Sequence, residues 1–166
     1  EVMRFVTPRA LIVLGALLVL GVVDASIVGK ERIRRHGDVV YLPLAPVDPR
    51  SLVQGDYMAL RFALVRDIER HDAAGQHVER EGDVAFAAVM IDDRRIASLA
   101  GDAASASLKL RYRIRGGHVW LGTNAFFFEE GTSERFRGAR YGEFRVDRGS
   151  GEAVLVGLRG AALEAL

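Results

Sequence analysis

The sequence predicts a mainly β (α+β) protein: one N-terminal transmembrane helix followed by an antiparallel, partly closed β-sheet domain with one or two short helices. Three observations carry that reading. The chain opens on a long apolar run. Its middle holds a segment of strict two-residue alternation that ends in Gly-Gly. The rest is a series of short apolar segments parted by Gly, Pro and Asp. Residues 1–36 are expected to form the N-terminal tail and anchor, and residues 37–166 the soluble domain. Without the anchor, the 166-residue chain retains enough length for one hydrophobic core.

The apolar run comes first. Ala10 to Val28 is 19 residues long and is interrupted only at Asp24 and Ser26. A helix rising 1.5 Å per residue needs about 20 residues to cross a bilayer core. Pro8 suits the first helical turn, where its missing N–H is no loss. Lys30, Arg32, Arg34 and Arg35 follow and can sit among headgroups. A cleaved signal peptide is the competing reading, with a small-residue cleavage site at Val23-Asp24-Ala25. Gly21, Ala25 and Gly29 recur every four residues, a stripe that would let a second membrane helix pack closely. Topology signals disagree. Arg4 and Arg9 precede the span and four basic residues follow it, which by the positive-inside rule keeps the domain in the cytoplasm. A short basic start before a long C-terminal domain instead resembles an export signal. The expectation is a single pass through the membrane, with the domain from Asp38 onward outside the cytoplasm.

Composition excludes several functions. There is no Cys, hence no disulfide, thiolate metal site or Cys nucleophile. A net charge of +1 gives no sign of a nucleic-acid partner. Lysine occurs only at Lys30 and Lys109, which restricts any lysine-dependent mechanism.

Gly37 ends the helix, and Val39 to Ala45 reads as a strand stopped by Pro46. Val47-Asp48-Pro49-Arg50 is turn chemistry. Leu52 and Val53 read as a helical turn, Gly55-Asp56 as a second turn, and Tyr57 to Val65 as a strand. Arg66 to Gly82 is polar and reads as a loop or hairpin end. Val84 to Ile91 is wholly apolar between Asp83 and Asp92, as in a central buried strand. Asp92-Asp93 turns the chain, and Gly101 to Ser107 links it onward. In Leu108 to Arg115, Leu108, Leu110, Tyr112 and Ile114 alternate with Lys109, Arg111, Arg113 and Arg115, so one face is apolar and the other basic. Gly116-Gly117 supplies the two positive-φ positions of a tight hairpin. The return strand is His118 to Phe128. Thr132 is placed to cap a short helix reaching about Tyr141. Glu143 to Asp147 and Ala153 to Leu158 form a last hairpin.

Gly55-Asp56-Tyr57-Met58-Ala59-Leu60-Arg61-Phe62 resembles the motif of the GDYXXLXY family, with Phe62 in place of the final Tyr. Leu44 to Arg50 and Ala139 to Leu158 are similar to the same family. The resemblance implies a bacterial membrane-anchored protein of the kind often encoded beside multispanning membrane proteins. It supplies no catalytic residues. Read physically, Gly55 permits a tight turn and Asp56 can close it. Met58, Leu60 and Phe62 then share one strand face, with Tyr57 and Ala59 on the other. The motif is expected to be a fold element first; as a docking edge it would offer Asp48, Pro49, Arg50, Gly55, Asp56, Tyr57, Leu60 and Phe62.

The order anchor, strand, Pro49, Leu52, Gly55-Asp56 also resembles the surroundings of the nucleophile in type I signal peptidases and related Ser–Lys proteases. The chain departs from that pattern. Pro46 stands where the nucleophilic Ser would be, and the Pro49-to-Gly55 spacing is one residue longer. The nearest hydroxyl is Ser51, and the one soluble-domain lysine is Lys109. A Ser–Lys pair needs a desolvated lysine, whereas the alternation puts Lys109 on the basic face. No catalytic residue is assigned.

Lys109, Arg111, Arg113 and Arg115 could meet anionic headgroups or an acidic partner, unless neighbouring strands pair them. His71, Asp72, His77 and Glu79 lack a ligand spacing, so neither metal nor cofactor is expected. Phe126-Phe127-Phe128 reads as a core strand ending at Glu129-Glu130, one ring being a candidate to line a ligand site. The function expected is a non-catalytic, membrane-anchored accessory protein of the cell envelope, partnering a multispanning membrane protein. The alternatives are a Ser–Lys hydrolase and a lipid- or glycan-binding module.

Overall fold

The structure, a computed structural model, describes residues 8–45, 53–54, 57–71 and 82–166. The chain divides into two compact units, Glu1–Arg32 and Ile33–Leu166.

Helix α1 runs Pro8–His36. Its apolar part is long enough to cross a membrane and is not buried by the rest of the chain. The last turn, from Ile33, belongs to the globular unit. Gly37 ends the helix as expected, its N–H donating to the Ile33 carbonyl at 2.8 Å. A Cβ at Gly37 would lie 2.6 Å from that carbonyl oxygen and 2.9 Å from the Val146 nitrogen. Only glycine fits between the helix end and that strand.

The globular unit holds three antiparallel sheets. β1 (Asp38–Pro43) pairs with β9 (Tyr141–Val146), which pairs with β10 (Ala153–Arg159). β2 (Val53–Gln54) pairs with β3 (Tyr57–Ala59), and β3 with β8 (Ala125–Phe127). β4 (Val84–Ile91) lies between β5 (Ala97–Leu99) and β6 (Leu108–Arg115), and β6 pairs with β7 (His118–Trp120). Isolated bridges Tyr41↔Ile96 and Leu44↔Phe62 join the sheets into a curled half-barrel. One core fills it, with Val40, Leu42, Leu64, Leu110, Val89, Phe144 and Val146 almost inaccessible. Phe62 meets Phe144 edge-on at 5.2 Å, a favoured aromatic geometry.

Several elements differ from the sequence reading. β3 ends at Ala59, and α2 (Ala63–His71) occupies what reads as strand end and loop. Leu64 and Ile68 lie four apart and are both buried, which is helical spacing. Val53 is in a strand rather than a helical turn. The return strand is broken into β7 and β8, with Gly122 at φ +99° between them. α3 is only Ser133–Phe136, and Thr132 does not cap it. Its hydroxyl donates instead to the Glu129 carbonyl at 2.6 Å. β4 is central in its sheet but covered on one face only: Val84, Phe86 and Met90 are exposed. An unbroken apolar run has no period, so it cannot distinguish one covered face from two. Elsewhere the elements match, including φ of +58° and +74° at Gly116 and Gly117.

Candidate functional site: a cationic cleft beside the motif strand

The motif strand separates two environments. Met58, Leu60 and Phe62 are buried, as alternation from Tyr57 requires. Tyr57, Ala59 and Arg61 face outward. Tyr57 packs against Phe127 with ring centroids 5.9 Å apart. Phe127 is 75% exposed, so the middle ring of the Phe triplet is a surface feature. Its neighbours Phe126 and Phe128 instead pack on Phe136, each at 5.2 Å. The sequence reading put the whole triplet in the core; the two-residue alternation of β8 turns the middle ring out. Of the remaining motif residues, Asp48, Pro49, Arg50, Gly55 and Asp56 lie outside the described residues, as does Ser51.

Beyond the outward side lies a cleft of about 770 Å³. Three segments build it: Ala59 to Phe62, one side of α2, and the β6–β7 hairpin with the strand exit beyond it. Leu64 and Ile68 fix α2 to the core, which presents Val65, Arg66 and Glu69 to the cleft. The Gly116-Gly117 turn carries Arg115 and His118 to its opposite side. The Arg115 guanidinium lies 5.1 Å from the Trp120 ring centroid, a cation–π contact. Glu69 ties α2 to β7. One of its carboxylate oxygens accepts the Val119 N–H at 3.2 Å and lies 3.4 Å from His118 Nδ1. Among the described residues, neither Arg61, Arg66 nor Arg115 makes an ion pair.

The basic stripe lies on the outer face of β6. Its cross-strand neighbours on β4 are Ala88 opposite Lys109, Phe86 opposite Arg111 and Val84 opposite Arg113. On β7, Trp120 is opposite Arg113 and His118 opposite Arg115. Acidic side chains from adjacent strands therefore do not pair the stripe, and among the described residues none of its four cations makes an ion pair. Lys109 is exposed. By contrast, Glu143 is 6% exposed and is held by Arg159, whose Nε–H donates to it at 2.6 Å, and by Arg145 at 3.8 Å. In the anchor, a Cβ at Gly21 or Gly29 would meet nothing within 4 Å, so that stripe is open along the helix surface. Among the described residues no group of three or more His, Cys, Asp or Glu could hold a metal ion. His71 ends α2, and Asp72, His77 and Glu79 lie outside the described residues.

The cleft was missed in the sequence because it joins residues near 60 to residues near 120, with no local spacing to reveal it. The one available signal was the density of Arg and aromatic residues on both sides of the motif and of the Gly-Gly turn.

In a comparison with protein families, the model of the GDYXXLXY protein family matches residues 19–158. No curated protein and no solved structure matches the chain.

Proposed function

Since the chain belongs to the GDYXXLXY family, we propose that it is a non-catalytic accessory protein of the bacterial cell envelope. α1 anchors it in the inner membrane, the globular unit lies on the periplasmic side, and its partner is a multispanning membrane protein. The observation that supports this is the outward side of the motif strand. There Tyr57 and Phe127 pair at the surface, and Arg61 is exposed further along the same side. Aromatic residues and Arg are the types that most often anchor protein interfaces. An exposed aromatic pair adds little to a fold and much to a contact. The open stripe Gly21, Ala25, Gly29 gives the anchor a face on which a partner helix can pack.

The test is recovery of the multispanning protein with the full chain in mild detergent, read by mass spectrometry. Phe127→Ser and Tyr57→Ser should each reduce recovery roughly tenfold, as loss of an interface anchor does. Gly21→Leu should reduce it further without moving the thermal unfolding of the globular unit. Undiminished recovery with all three variants would sink the docking reading. A periplasm-active reporter fused after Leu166 should be active; activity of a cytoplasmic reporter alone would reverse the topology.

A further inference from the structure

The cleft beside the motif joins two chemistries in one volume. Its apolar floor is offered by the half-buried Val65 and Trp120 and the exposed Ala59; Leu60, Phe62, Val119 and Leu121 also line it but are at most 8% exposed. Its lining is also cationic, with Arg61, Arg66 and Arg115 contributed by three different segments. Among the described residues Glu69 is the one carboxylate in the lining, and it already serves the Val119 N–H and His118. Three arginines against one carboxylate leave the described lining net positive, which favours an anion there. Arg115 lies over the Trp120 ring, and among the described residues no ion pair takes its N–H donors, which suit an oxyanion.

We infer that this cleft binds an amphiphilic anion: a phosphate or carboxylate group held by Arg61, Arg66 and Arg115, on an apolar body lying against Val65 and Trp120. A cleft of about 770 Å³ is of the size that takes one small ligand. Forked guanidinium donors suit the paired oxygens of phosphate or carboxylate. An inorganic anion alone would leave the apolar floor wet, and a neutral lipid would leave the arginines unanswered. The inference goes beyond the accessory reading and does not depend on the partner, because the ligand site needs only this chain.

Trp120 is the chain's single tryptophan and lines the cleft, so its emission reports occupancy directly. The experiment titrates the full chain, held in a non-ionic amphipathic polymer, with three probes. These are dihexanoyl phosphatidic acid, dihexanoyl phosphatidylcholine and inorganic phosphate. Saturable change with the phosphatidic acid is expected, with the other two at least about tenfold weaker. Arg61→Gln and Arg66→Gln should each weaken the phosphatidic acid roughly tenfold, the loss of one charge-assisted contact. Arg113→Gln, a cation outside the cleft, should leave it unchanged, and thermal unfolding confirms that each variant is folded. Equal binding of inorganic phosphate overturns the amphiphile assignment. Equal binding of the phosphatidylcholine overturns the anionic one. No saturable response, unaltered binding in both cleft variants, or an equal loss in Arg113→Gln overturns the site itself. The recovery experiment on the partner uses no added lipid, so either idea can fail without the other.

Discussion

The sheet β1–β9–β10 and the sheet β5–β4–β6–β7 are both antiparallel, yet only the first has consecutive buried residues along its central strand. In β9, Gly142, Glu143, Phe144 and Val146 are all buried, so consecutive residues are covered whichever way they point. In β6 the inward residues are covered and the outward cations lie at the surface, Arg111 only in part. The difference lies in which counter-charges come within reach: Tyr41 and Gly157 stand directly opposite Glu143, and its arginines reach it diagonally and along β9. Glu143 sits where Arg159 and Arg145 reach it, so both signs of charge are consumed within the fold. The cations of β6 face Val84, Phe86 and Ala88, which offer no counter-charge. The neighbours within reach of a side chain, diagonal and along its own strand as well as directly opposite, therefore decide which charges are structural and which are left for solvent or a ligand.

The strongest way to break that comparison is to truncate one Phe in each sheet. Phe144 is 0% exposed and touches Phe62. Phe144→Ala should destabilise by about 4 kcal/mol, from lost burial plus the cavity. Phe86 is 55% exposed, and Phe86→Ala should cost under about 1 kcal/mol. Thermal unfolding of the full chain in mild detergent reads both. Similar shifts would mean that the outer face of β4 is covered in the folded protein after all.

The charges give the next test. Glu143→Gln removes the carboxylate and leaves Arg159 and Arg145 facing each other. Deleting one partner of a buried pair costs about 3–5 kcal/mol. Here about 2–3 kcal/mol is expected, because those arginine side chains are 25% and 31% exposed and water screens them in part. Arg113→Gln on the open sheet should fall within about 0.5 kcal/mol. If Arg113→Gln costs as much as Glu143→Gln, the open face has a structural counter-charge.

A smaller effect belongs to the junction between the two sheets. The Gly151 carbonyl accepts the Arg111 N–H at 2.8 Å, so the β9–β10 turn rests on the edge of β6. Gly151 has φ +69°, and a Cβ there would lie 2.8 Å from the Lys109 carbonyl oxygen. Gly151→Ala should cost about 1–3 kcal/mol through strain and overpacking. An unchanged unfolding temperature would show that the turn can leave the edge freely.

What could be read from the sequence follows the range of each signal. β4 and β6 start and stop at the residues expected, because bounding Asp residues and strict alternation are local. The Gly116-Gly117 turn is equally local. α2 was misread for a physical reason. Met58, Leu60, Phe62 and Leu64 continue the motif's two-residue alternation, while Leu64 and Ile68 begin a helical one. Leu64 satisfies both, and only packing decides where the change of period falls. The cleft was not legible at all, since Arg61 and Arg115 meet only after the sheets close. Exposure of Phe127 was available in principle, because three consecutive Phe residues in a strand cannot all face one core.

The smallest effect concerns the other link between the sheets. Asp92 shapes the turn after β4, its side chain accepting the N–H groups of Arg94 and Ile96 at 2.9 and 2.7 Å. That turn places Arg95 at φ +64°, where a side chain costs about 1–2 kcal/mol relative to glycine. The Arg95 carbonyl accepts the Tyr41 N–H at 2.8 Å, which brings β1 beside β5. Arg95→Gly keeps that bond and relieves the strain, but it also loosens the unfolded chain by about 0.5–1 kcal/mol. A net gain on the order of 0.5 kcal/mol is expected, and Arg95→Val should go the other way by about 1 kcal/mol because a β-branched side chain fits that φ worst. If Arg95→Gly destabilises while Arg95→Val is neutral, the Arg95 side chain contributes more than its backbone does. The link between the closed and open sheets would then be a side-chain contact rather than the Tyr41 hydrogen bond.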